Sequence, residues 1–401
     1  MVAVPLQCEV SARLPRHAYK AYRLDAIFLG NKWDPQLHDH STVADRAIVL
    51  GAADWAELSA ATETLFTETL AIERELHRAA LATSGPRYLP RRASRRLARL
   101  AAVPTEGARL MRFDFHPTSE GWRVSEVNSD VPGGLNESTT FAELWPHASS
   151  GWRHTGRPAE VYVDRLVEAF ALQRGARVGL VHATAYSDDW QQMAFLKRLL
   201  EARGIEAFGT APTSVTLDSG QMMVEGARLD AALRFFPGDW LLFARDGERW
   251  FEHHPSKLSN PLHALFSQNK FFPVVCAAAS IAAPTWQRYL PATSPLRVGD
   301  LFGSQHLAKP SFGRVGEDVA RIDELSFAKR MRLAASVLSE KGLWIRQRRF
   351  ESVNLGSQGE PLHACVGVYC VDGKVAGCYG RLSPVHVVGM RAADAPVFVT
   401  D

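Results

Sequence analysis

Polar and apolar residues alternate along residues 112–128 in the pattern of a β-hairpin. Arg112 and Asp114 fall on one face of the first strand, and Glu126 and Asn128 on one face of the second, because side chains of a strand alternate with a period of two. The opposite face is apolar and consists of Phe113, Phe115 and Val127. The pattern therefore brings one guanidinium, two carboxylates and one amide together.

Three segments carry apolar residues at helical spacing. They are residues 45–82, predicted as one or two long amphipathic helices, residues 136–145 and residues 188–203. Gly85 and Pro86 follow the first segment and Gly204 follows the last, and such residues mark helix ends. The arginine-rich residues 91–99 predict the solvated face of a further helix rather than a contact with nucleic acid.

Short apolar runs over residues 176–182, 204–208 and 229–236 predict buried strands. Their alternation with the helix over residues 188–203 is typical of a small α/β domain. The polar residues 151–157 predict a linker. No Gly-x-Gly-x-x-Gly pattern follows the first strand, which argues against a dinucleotide site there.

The last third of the chain has a different pattern. Residues 271–283 predict an apolar helix that Pro284 ends, and short strands are predicted at residues 307–309 and 343–348. Residues 365–381 predict a hairpin with its turn at Asp372 and Gly373. The turn of the earlier hairpin is predicted at residues 116–121, which hold Pro, Ser and Gly.

Composition narrows the class of protein. With 401 residues, 46% hydrophobic and 22% charged, the chain is typical of a soluble globular protein with two or three subdomains. The net charge of +3 gives no argument for a nucleic-acid or membrane partner. Five cysteines without metal-ligand spacing fit a reducing compartment, and the N-terminus shows no signal-peptide pattern, so we expect a cytoplasmic protein.

The candidate chemistry concerns phosphate and magnesium. Oxygen ligands such as Asp114, Glu126 and Asn128 suit Mg²⁺, although charged residues on a hairpin also form an ordinary solvated face. Lys309 in a short strand calls for an anion if it is buried, although such a lysine is more often a surface residue. A glycine-containing loop follows it at residues 310–317, which lets backbone amides approach phosphate but is also typical of an ordinary turn. Gln347 in an apolar strand offers polar groups to a base, and Arg381 ends a strand where it can neutralise phosphate.

These motifs occur in a characteristic order. They are residues 112–115 (Arg-Phe-Asp-Phe), 126–132 (Glu-Val-Asn-Ser-Asp-Val-Pro), 267–270 (Ser-Gln-Asn-Lys), 309–316 (Lys-Pro-Ser-Phe-Gly-Arg-Val-Gly), 345–347 (Ile-Arg-Gln) and 371–381. In this order the chain resembles the synthetase module of glutathionylspermidine synthase and its relatives, a branch of the ATP-grasp ligases. The resemblance covers nearly the whole length, and the first hundred residues are its least diagnostic part.

The resemblance implies roles for individual residues. Asp114, Glu126 and Asn128 match Mg²⁺ ligands, and Arg112 and Arg381 match arginines that act on the transferring phosphoryl group. The residues that match or lie near the ATP contacts of the family are Lys270, Lys309, Gly313, Arg314, Gly316 and Gln347. Asp188 and Asp189 fall where the family carries an acidic pair near the substrate amine, although two carboxylates also simply favour a helix start.

The resemblance also implies an architecture. We expect an α/β (α+β) protein with an ATP-grasp fold, a preATP-grasp-like α/β subdomain and an N-terminal helical region. The predicted regions are residues 1–105, mostly helical; residues 106–255, with the hairpin and the substrate domain; and residues 256–401, which bind the nucleotide.

Two departures from the family bear on the substrate. The loop after the hairpin, which starts at Asp130, has Val131 and Gly133 where the thiol-tripeptide enzymes carry hydroxyl residues that contact glutathione. These side chains donate no such hydrogen bond, so we expect an acid other than glutathione. The phosphate loop has Val315 where relatives have a glutamate, which leaves that role unfilled.

The expected reaction joins a small carboxylate to an amine through an acyl phosphate, with ATP and Mg²⁺ as cofactors and ADP and phosphate as products. An ATP-dependent phosphotransferase that needs no amine is one alternative. A catalytically inactive binding module with the same fold is the other. The identity of the acid and amine and the oligomeric state have no signal in the sequence.

Overall fold

The computed structural model describes residues 6–83, 91–100, 108–146, 148–255, 257–278, 281–303, 305–313, 319–339, 344–389 and 391–400. The α-helices are α1 (Arg16–Phe28), α2 (Ala52–Thr83), α3 (Arg91–Arg99), α4 (Leu135–Leu144), α5 (Pro158–Ala169), α6 (Ser187–Glu201), α7 (Gly238–Phe243), α8 (Glu248–Glu252), α9 (Leu265–Gln268), α10 (Phe272–Ala278), α11 (Pro284–Tyr289) and α12 (Phe327–Ser339). None of these helices is both long and apolar enough to cross a membrane.

The strands of the described residues belong to six sheets. In chain order they are β1 (Cys8–Val10), β2 (Gln36–Leu37), β3 (His40–Ser41), β4 (Ile48–Leu50), β5 (Leu110–Thr118), β6 (Gly121–Asn128), β7 (Trp152–His154), β8 (Arg177–Val181), β9 (Glu206–Thr210), β10 (Val215–Asp218), β11 (Gln221–Val224), β12 (Ala227–Arg228), β13 (Ala231–Arg234), β14 (Leu258–Ser259), β15 (Thr293–Pro295), β16 (His306–Pro310), β17 (Ala320–Arg321), β18 (Trp344–Arg348), β19 (His363–Val371), β20 (Lys374–Ser383), β21 (Ala393–Ala395) and β22 (Val397–Thr400).

A five-stranded antiparallel sheet, in the order β21-β20-β19-β5-β6, contains the predicted hairpin. The alternation is confirmed, since Arg112 lies opposite Asn128 and Asp114 opposite Glu126. The apolar face of the hairpin packs in a core with α2 and α11, and its buried residues are Phe113, Phe115 and Val127. The core buries the apolar face of the sheet, so the polar face can line a functional site.

A parallel sheet in the order β14-β13-β8-β9 confirms the predicted α/β unit. Its apolar strands pack against α5 and α6 through Leu166, Leu180, Leu196 and Leu233, among others. Such strands are almost wholly apolar because helices cover the sheet. Helix α6 follows β8 directly, which places its first turn at the carboxyl edge of the sheet, where α/β proteins commonly bind ligands.

A smaller antiparallel sheet, in the order β15-β18-β16-β17, carries Lys309 and Gln347. Lys309 lies opposite Ile345, two residues from Gln347, so the two polar side chains share one face. The other face packs on α12 through Ala308 and Leu333.

A fourth sheet joins segments from the beginning and the end of the chain. Strand β22 lies between β4, which is parallel to it, and β7, which is antiparallel. The five-stranded sheet likewise joins strands from the second and third predicted regions. The sheets therefore connect the three predicted regions, and the boundaries at residues 105 and 255 stay a prediction from the sequence.

Several local predictions differ from the structure. The turn of the first hairpin consists of only two residues, because β5 continues through Thr118. Pro117 is tolerated there because β19 pairs with β5 only as far as Phe115, so no bond to β19 requires its missing N–H. Residues 151–157 are not only a linker, since they contain β7. Pro284 occupies the first turn of α11, where its missing N–H costs nothing.

The arginine-rich segment forms α3, but it is not simply a solvated face. Arg96 is buried, and its guanidinium donates to the backbone carbonyl groups of Leu242 and Ala244 at 2.8 and 2.6 Å. Arg99 pairs with Glu248 at 2.9 Å. The predicted helix end at Gly85 and Pro86 lies outside the described residues.

Candidate active site

Arg112 and Asp114 form a two-pronged ion pair on the polar face of β5. Nε of Arg112 lies 2.7 Å from Oδ1 of Asp114, and its Nη2 lies 2.9 Å from Oδ2. Asn128, across the hairpin, donates its Nδ2 to the same carboxylate at 2.9 Å, so its amide oxygen stays available. Both residues of the ion pair are buried, and this geometry fixes a guanidinium and a carboxylate in place.

Glu126 lies opposite Asp114 and pairs with Lys270, whose Nζ lies 2.6 Å from Oε2 of the carboxylate. Burial opposes the ionised form of Glu126, but Lys270 and Lys309 overcome it and lower the pKa of this carboxyl to about 2. Glu126 is therefore ionised at neutral pH, as a metal ligand must be.

Lys309 donates its Nζ to Oε1 of Gln347 at 2.7 Å, and both side chains are buried. Burial, assisted by repulsion from Lys270, lowers the pKa of Lys309 to about 8, although Glu126 acts in the opposite direction. Two lysines that face one carboxylate leave an excess of positive charge. An anionic group such as phosphate is the natural partner for that excess.

A narrow recess of about 350 Å³, open solvent included, lies beside these lysines. Apolar side chains form one part of its wall, and Gln347 supplies amide groups. The apolar residues are Val127, Phe272, Pro273, Trp286, Leu290 and Ile345, and the amide belongs to Gln347. Apolar walls with a few fixed polar groups suit a planar heterocycle such as a nucleobase.

A second, much wider cleft of about 1950 Å³, open solvent included, adjoins the recess. The recess and the cleft share Ser125, Glu126 and Gln268 in their walls. The predicted site residues that line the cleft are Arg112, Asp114, Glu126, Asn128, Asp130, Val131, Gly133, Asp188, Asp189, Gly313 and Arg381. Thus the predicted site residues that are described line one of two adjoining cavities, while Arg314 and Gly316 lie outside the described residues.

The loop after the hairpin is held rigidly. Asp130 accepts hydrogen bonds from the buried Arg234 and from the backbone N–H of Gly238, the latter at 2.8 Å. The carbonyl of Gly133 accepts from Nη1 of Arg112 at 2.5 Å and from the hydroxyl of Tyr369. The carboxylate of Asp130 therefore has structural partners, and the loop is tied to Arg112.

Asp188 and Asp189 lie in the first turn of α6, at the rim of the cleft. Asp188 is exposed to solvent, and its Oδ1 accepts a hydrogen bond from the hydroxyl of Ser187 at 3.4 Å. Their position fits both roles given above. Carboxylates in the first turn of a helix favour its start, and carboxylates at the rim of a cleft can contact an ammonium group.

Arg381 extends from β20 into the wall of the cleft. Its Nη2 donates to the carbonyl of Gly389 at 2.6 Å, and its Nε lies 3.9 Å from Oδ1 of Asp394. Although burial opposes the charge, Tyr379 and Asp394 raise the pKa of Arg381, so the guanidinium stays ionised.

Sequence reasoning missed two parts of the site. Gln268 accepts hydrogen bonds from the backbone N–H groups of Ser129 and Asp130 at 2.9 and 3.0 Å, and so anchors the loop after the hairpin. Lys32 and Asp394 also line the cleft and pair with each other at 2.7 Å. Only long-range folding brings these two together, so no local pattern signals them.

The donor set fits Mg²⁺ and ATP. Two carboxylates and one amide oxygen are hard ligands that leave coordination positions for water and phosphate oxygens. Within the described ranges, no group of three or more His, Cys, Asp and Glu residues is arranged to hold a metal ion by itself. A metal at the hairpin therefore depends on the amide of Asn128 and on ligands from outside the protein.

Two solved structures share this fold. A glutathione synthetase-like effector from Globodera pallida matches with a TM-score of 0.62 at 9% identity over 96% of this chain and 98% of its own. A putative gamma-glutamylcysteine synthetase from Methylobacillus flagellatus matches with a TM-score of 0.50 at 13% identity, over 83% and 88%. At such identities the likeness concerns the fold, which is that of the ATP-grasp-type synthetases.

The sequence identifies the family. Residues 21–400 match the family described as glutathionylspermidine synthase preATP-grasp, so the chain belongs to this family. A search of curated proteins gave no match. The family and the two neighbours together indicate a ligase.

Proposed function

We propose that this protein is an ATP-dependent ligase that joins a small carboxylate to an amine and releases ADP and phosphate. The observation that carries the proposal is the shared wall of the two cavities, where Glu126 stands between the recess and the cleft, while the ion pair of Arg112 and Asp114 lines the cleft on the strand opposite Glu126. A nucleotide in the recess would extend its phosphates toward a carboxylate in the cleft.

The chemistry requires activation of the acid. A carboxylate does not react with an amine at neutral pH because oxide is a very poor leaving group. Transfer of the γ-phosphoryl group to the carboxylate gives an acyl phosphate, from which phosphate departs readily. Such transfer is catalysed mainly by positioning and by charge neutralisation.

Each side chain of the site has a place in this scheme. Lys270 and Lys309 bind phosphate oxygens, and Arg112 and Arg381 neutralise charge on the transferring group. Asp114, Glu126 and Asn128 are the residues that would hold Mg²⁺, which supplies charge neutralisation at the phosphates when bound. The rigid loop at Gly133 keeps Arg112 in position.

The substrate acid is proposed to differ from glutathione. The loop offers Val131 and Gly133, which have no hydroxyl group, and the Gly133 carbonyl already accepts two hydrogen bonds. Asp188 and Asp189 are proposed to attract the ammonium group of the amine at the cleft rim, where an exposed carboxylate acts at long range.

One assay tests the proposal. The protein is incubated with ATP, Mg²⁺ and pooled amino acids and small peptides as acids, their amino groups blocked by acetylation, with and without amino acids and polyamines as amines. ADP is measured, and amide products are identified by mass spectrometry. A ligase gives ADP that depends on both substrates, together with a new amide mass.

The same assay separates the alternatives. ADP release that depends on an acid but stays unchanged with every amine would identify a phosphotransferase instead. Nucleotide binding without ADP release under any of these conditions would identify an inactive binding module.

A further inference from the structure

Four charged side chains meet in the wall of the cleft. Nζ of Lys32 lies 2.9 Å from Oδ1 of Asp34, 2.9 Å from Oε1 of Glu137 and 2.7 Å from Oδ2 of Asp394. The lysine is buried, and only 4% of its side chain is exposed. One ammonium group therefore faces three carboxylates, and all four residues line the cleft.

The second oxygen of Glu137 has no such partner. Its Oε1 accepts from Lys32 and, at 3.5 Å, from Nε2 of Gln191, whereas Oε2 is buried without a hydrogen-bond partner among the described residues. A buried carboxylate oxygen that lacks a donor is costly, and such an atom calls for an explanation. A proton or an N–H group from a bound ligand would supply the missing donor.

Glu137 lines the same cleft as the proposed reacting centre. It belongs to the first turn of α4, which begins directly after the loop whose Gly133 carbonyl binds Arg112. The ring of Tyr379 lies 5.0 Å from the guanidinium of Arg112, and its hydroxyl donates to Asp394. Tyr379 thus contacts both Arg112 and the carboxylate cluster.

We propose that Glu137 accepts the proton that the substrate amine must lose before it attacks the acyl phosphate, with Lys32 as the residue that positions it. This inference rests on the proposed ligase function and adds a base to it. Asp188 and Asp189 would attract the ammonium group at the rim, and Glu137 would deprotonate it inside the cleft.

The proton balance is complete. The ammonium form gives one proton to Glu137, and the nitrogen lone pair then forms the C–N bond at the carbonyl carbon. The C–O bond to phosphate breaks, and the departing phosphate takes the second proton from nitrogen. Glu137 afterwards returns its proton to water in the cleft, so no further reactant is needed.

The electrostatics of the cluster agree with this role. Burial raises the pKa of Glu137 to about 7; Lys32 opposes the shift, and Asp394 and Asp34 add to it. The other titratable groups that interact with Glu137 are the hydroxyls of Tyr22, Tyr369 and Tyr379. A base whose pKa lies near the operating pH is the most effective.

The first test compares two nucleophiles. With ATP, Mg²⁺ and the pooled acids, hydroxylamine is largely unprotonated at neutral pH and needs no base, whereas the amines of the pool are protonated. We expect Glu137→Gln to lower amide formation by at least about 100-fold and to leave hydroxamate formation within about twofold of the wild type. Equal loss with both nucleophiles, or no loss with either, would overturn the inference.

The matched control is Glu143→Gln, on the same helix, where Glu143 pairs with Arg157 at the surface. We expect it to behave as the wild type with both nucleophiles. If the wild type itself forms neither hydroxamate nor amide with any acid, the ligase proposal fails, and this outcome differs from a failure of Glu137 alone.

A second test needs no substrate. Carbon-13 NMR of glutamate-labelled protein follows the carboxyl groups with pH, and the signal absent from Glu137→Gln belongs to Glu137. We expect a midpoint near neutral pH that rises in Lys32→Met, because the variant lacks the ammonium group that stabilises the charged form. A midpoint in the ordinary glutamate range, or one that Lys32→Met does not move, would refute the assignment.

Discussion

Lys309 and Gln347 lie on adjacent antiparallel strands, and their side chains are joined by a hydrogen bond of 2.7 Å between Nζ and Oε1. A neutral amide oxygen is a weak partner for a buried ammonium group. The protein therefore maintains a lysine whose charge is poorly compensated until an anion arrives, and this has consequences for stability as well as for binding.

Replacement of Lys309 should make the folded protein more stable and weaken its binding of ATP. The folded-state pKa of about 8 lies below the ordinary lysine value of 10.5, so the charged form is disfavoured in the folded state. We expect Lys309→Met to raise the free energy of unfolding at pH 7 by roughly 1–3 kcal/mol, after the lost hydrogen bond is subtracted, and to weaken ATP binding. Urea unfolding and calorimetry measure the two effects.

The stabilisation expected of Lys309→Met depends on pH. The cost of the charged lysine is full below pH 8 and falls as the pH rises toward 10.5, because the folded protein has then already released the proton. The stability difference between variant and wild type should therefore shrink between pH 8 and pH 10. A difference that stays constant over this range would contradict the assignment.

ATP binding should also take up protons. Phosphate oxygens near Lys309 favour its charged form, so at pH 8 we expect an uptake of about half a proton per nucleotide. Titration calorimetry in two buffers with different ionisation enthalpies measures this uptake. Lys309→Met at saturating ATP is the control. Because the variant lacks the lysine, residue 309 should take up no proton when ATP binds.

Glu126 allows a clean test of the metal site. Its side chain is 31% exposed, so loss of its pair with Lys270 should cost less than loss of the more deeply buried Asp114, and urea unfolding checks that the variant stays folded. We expect Glu126→Gln to lower ADP formation by at least about 100-fold, because a charged ligand and the γ-phosphate geometry are both disturbed. Glu120→Gln, in the exposed turn of the same hairpin, should keep wild-type activity.

Asp114 is a less suitable choice for that test. It is buried against Arg112, and removal of one member of a buried ion pair typically costs about 3–5 kcal/mol. Loss of ADP formation in Asp114→Ala would therefore mix a catalytic defect with a folding defect. Wild-type turnover in Glu126→Gln would refute the metal assignment without this ambiguity.

Two glycines in the left-handed region form a matched pair. Gly121 and Gly134 have φ values of +91° and +89°, but a Cβ at Gly134 would lie 2.7 Å from the ring of Tyr379, whereas one at Gly121 would meet nothing within 4 Å. We expect Gly121→Ala to cost about 1–2 kcal/mol and Gly134→Ala to cost at least about 1 kcal/mol more. Equal costs in urea unfolding would show that Tyr379 moves freely.

The rim carboxylates should affect binding of the amine rather than turnover. We expect Asp188→Asn to raise KM for the amine about fivefold with kcat unchanged, and the effect should fade at high salt because Asp188 is exposed. Asp246→Asn, at an exposed position away from the cleft, is the control. A fall in kcat with unchanged KM would assign Asp188 to the chemical step instead.

The sequence predicted those parts of the site that depend on local periodicity. Arg112, Asp114, Glu126 and Asn128 share a face because a hairpin has a period of two, and that pattern is visible without coordinates. Their position beside Lys309 follows from the resemblance to a family. The structure adds that Asp114 is buried and paired with Arg112, which no local pattern indicates.

The cluster around Lys32 was not predictable in this way. Its members come from the segment after α1, from α4 and from β21, and they meet because β21 pairs with β20 on one side and bonds to the backbone of Thr42 and Ala44 on the other. Such contacts depend on the order of strands in a sheet. A single sequence contains no periodic signal for that order.

The shared wall at Glu126 has a consequence for protein engineering. The residues that line the recess and those that line the cleft overlap only at Ser125, Glu126 and Gln268. Libraries directed at the cleft, around Val131 and the α6 start, can therefore search for new acids and amines while the nucleotide recess stays intact.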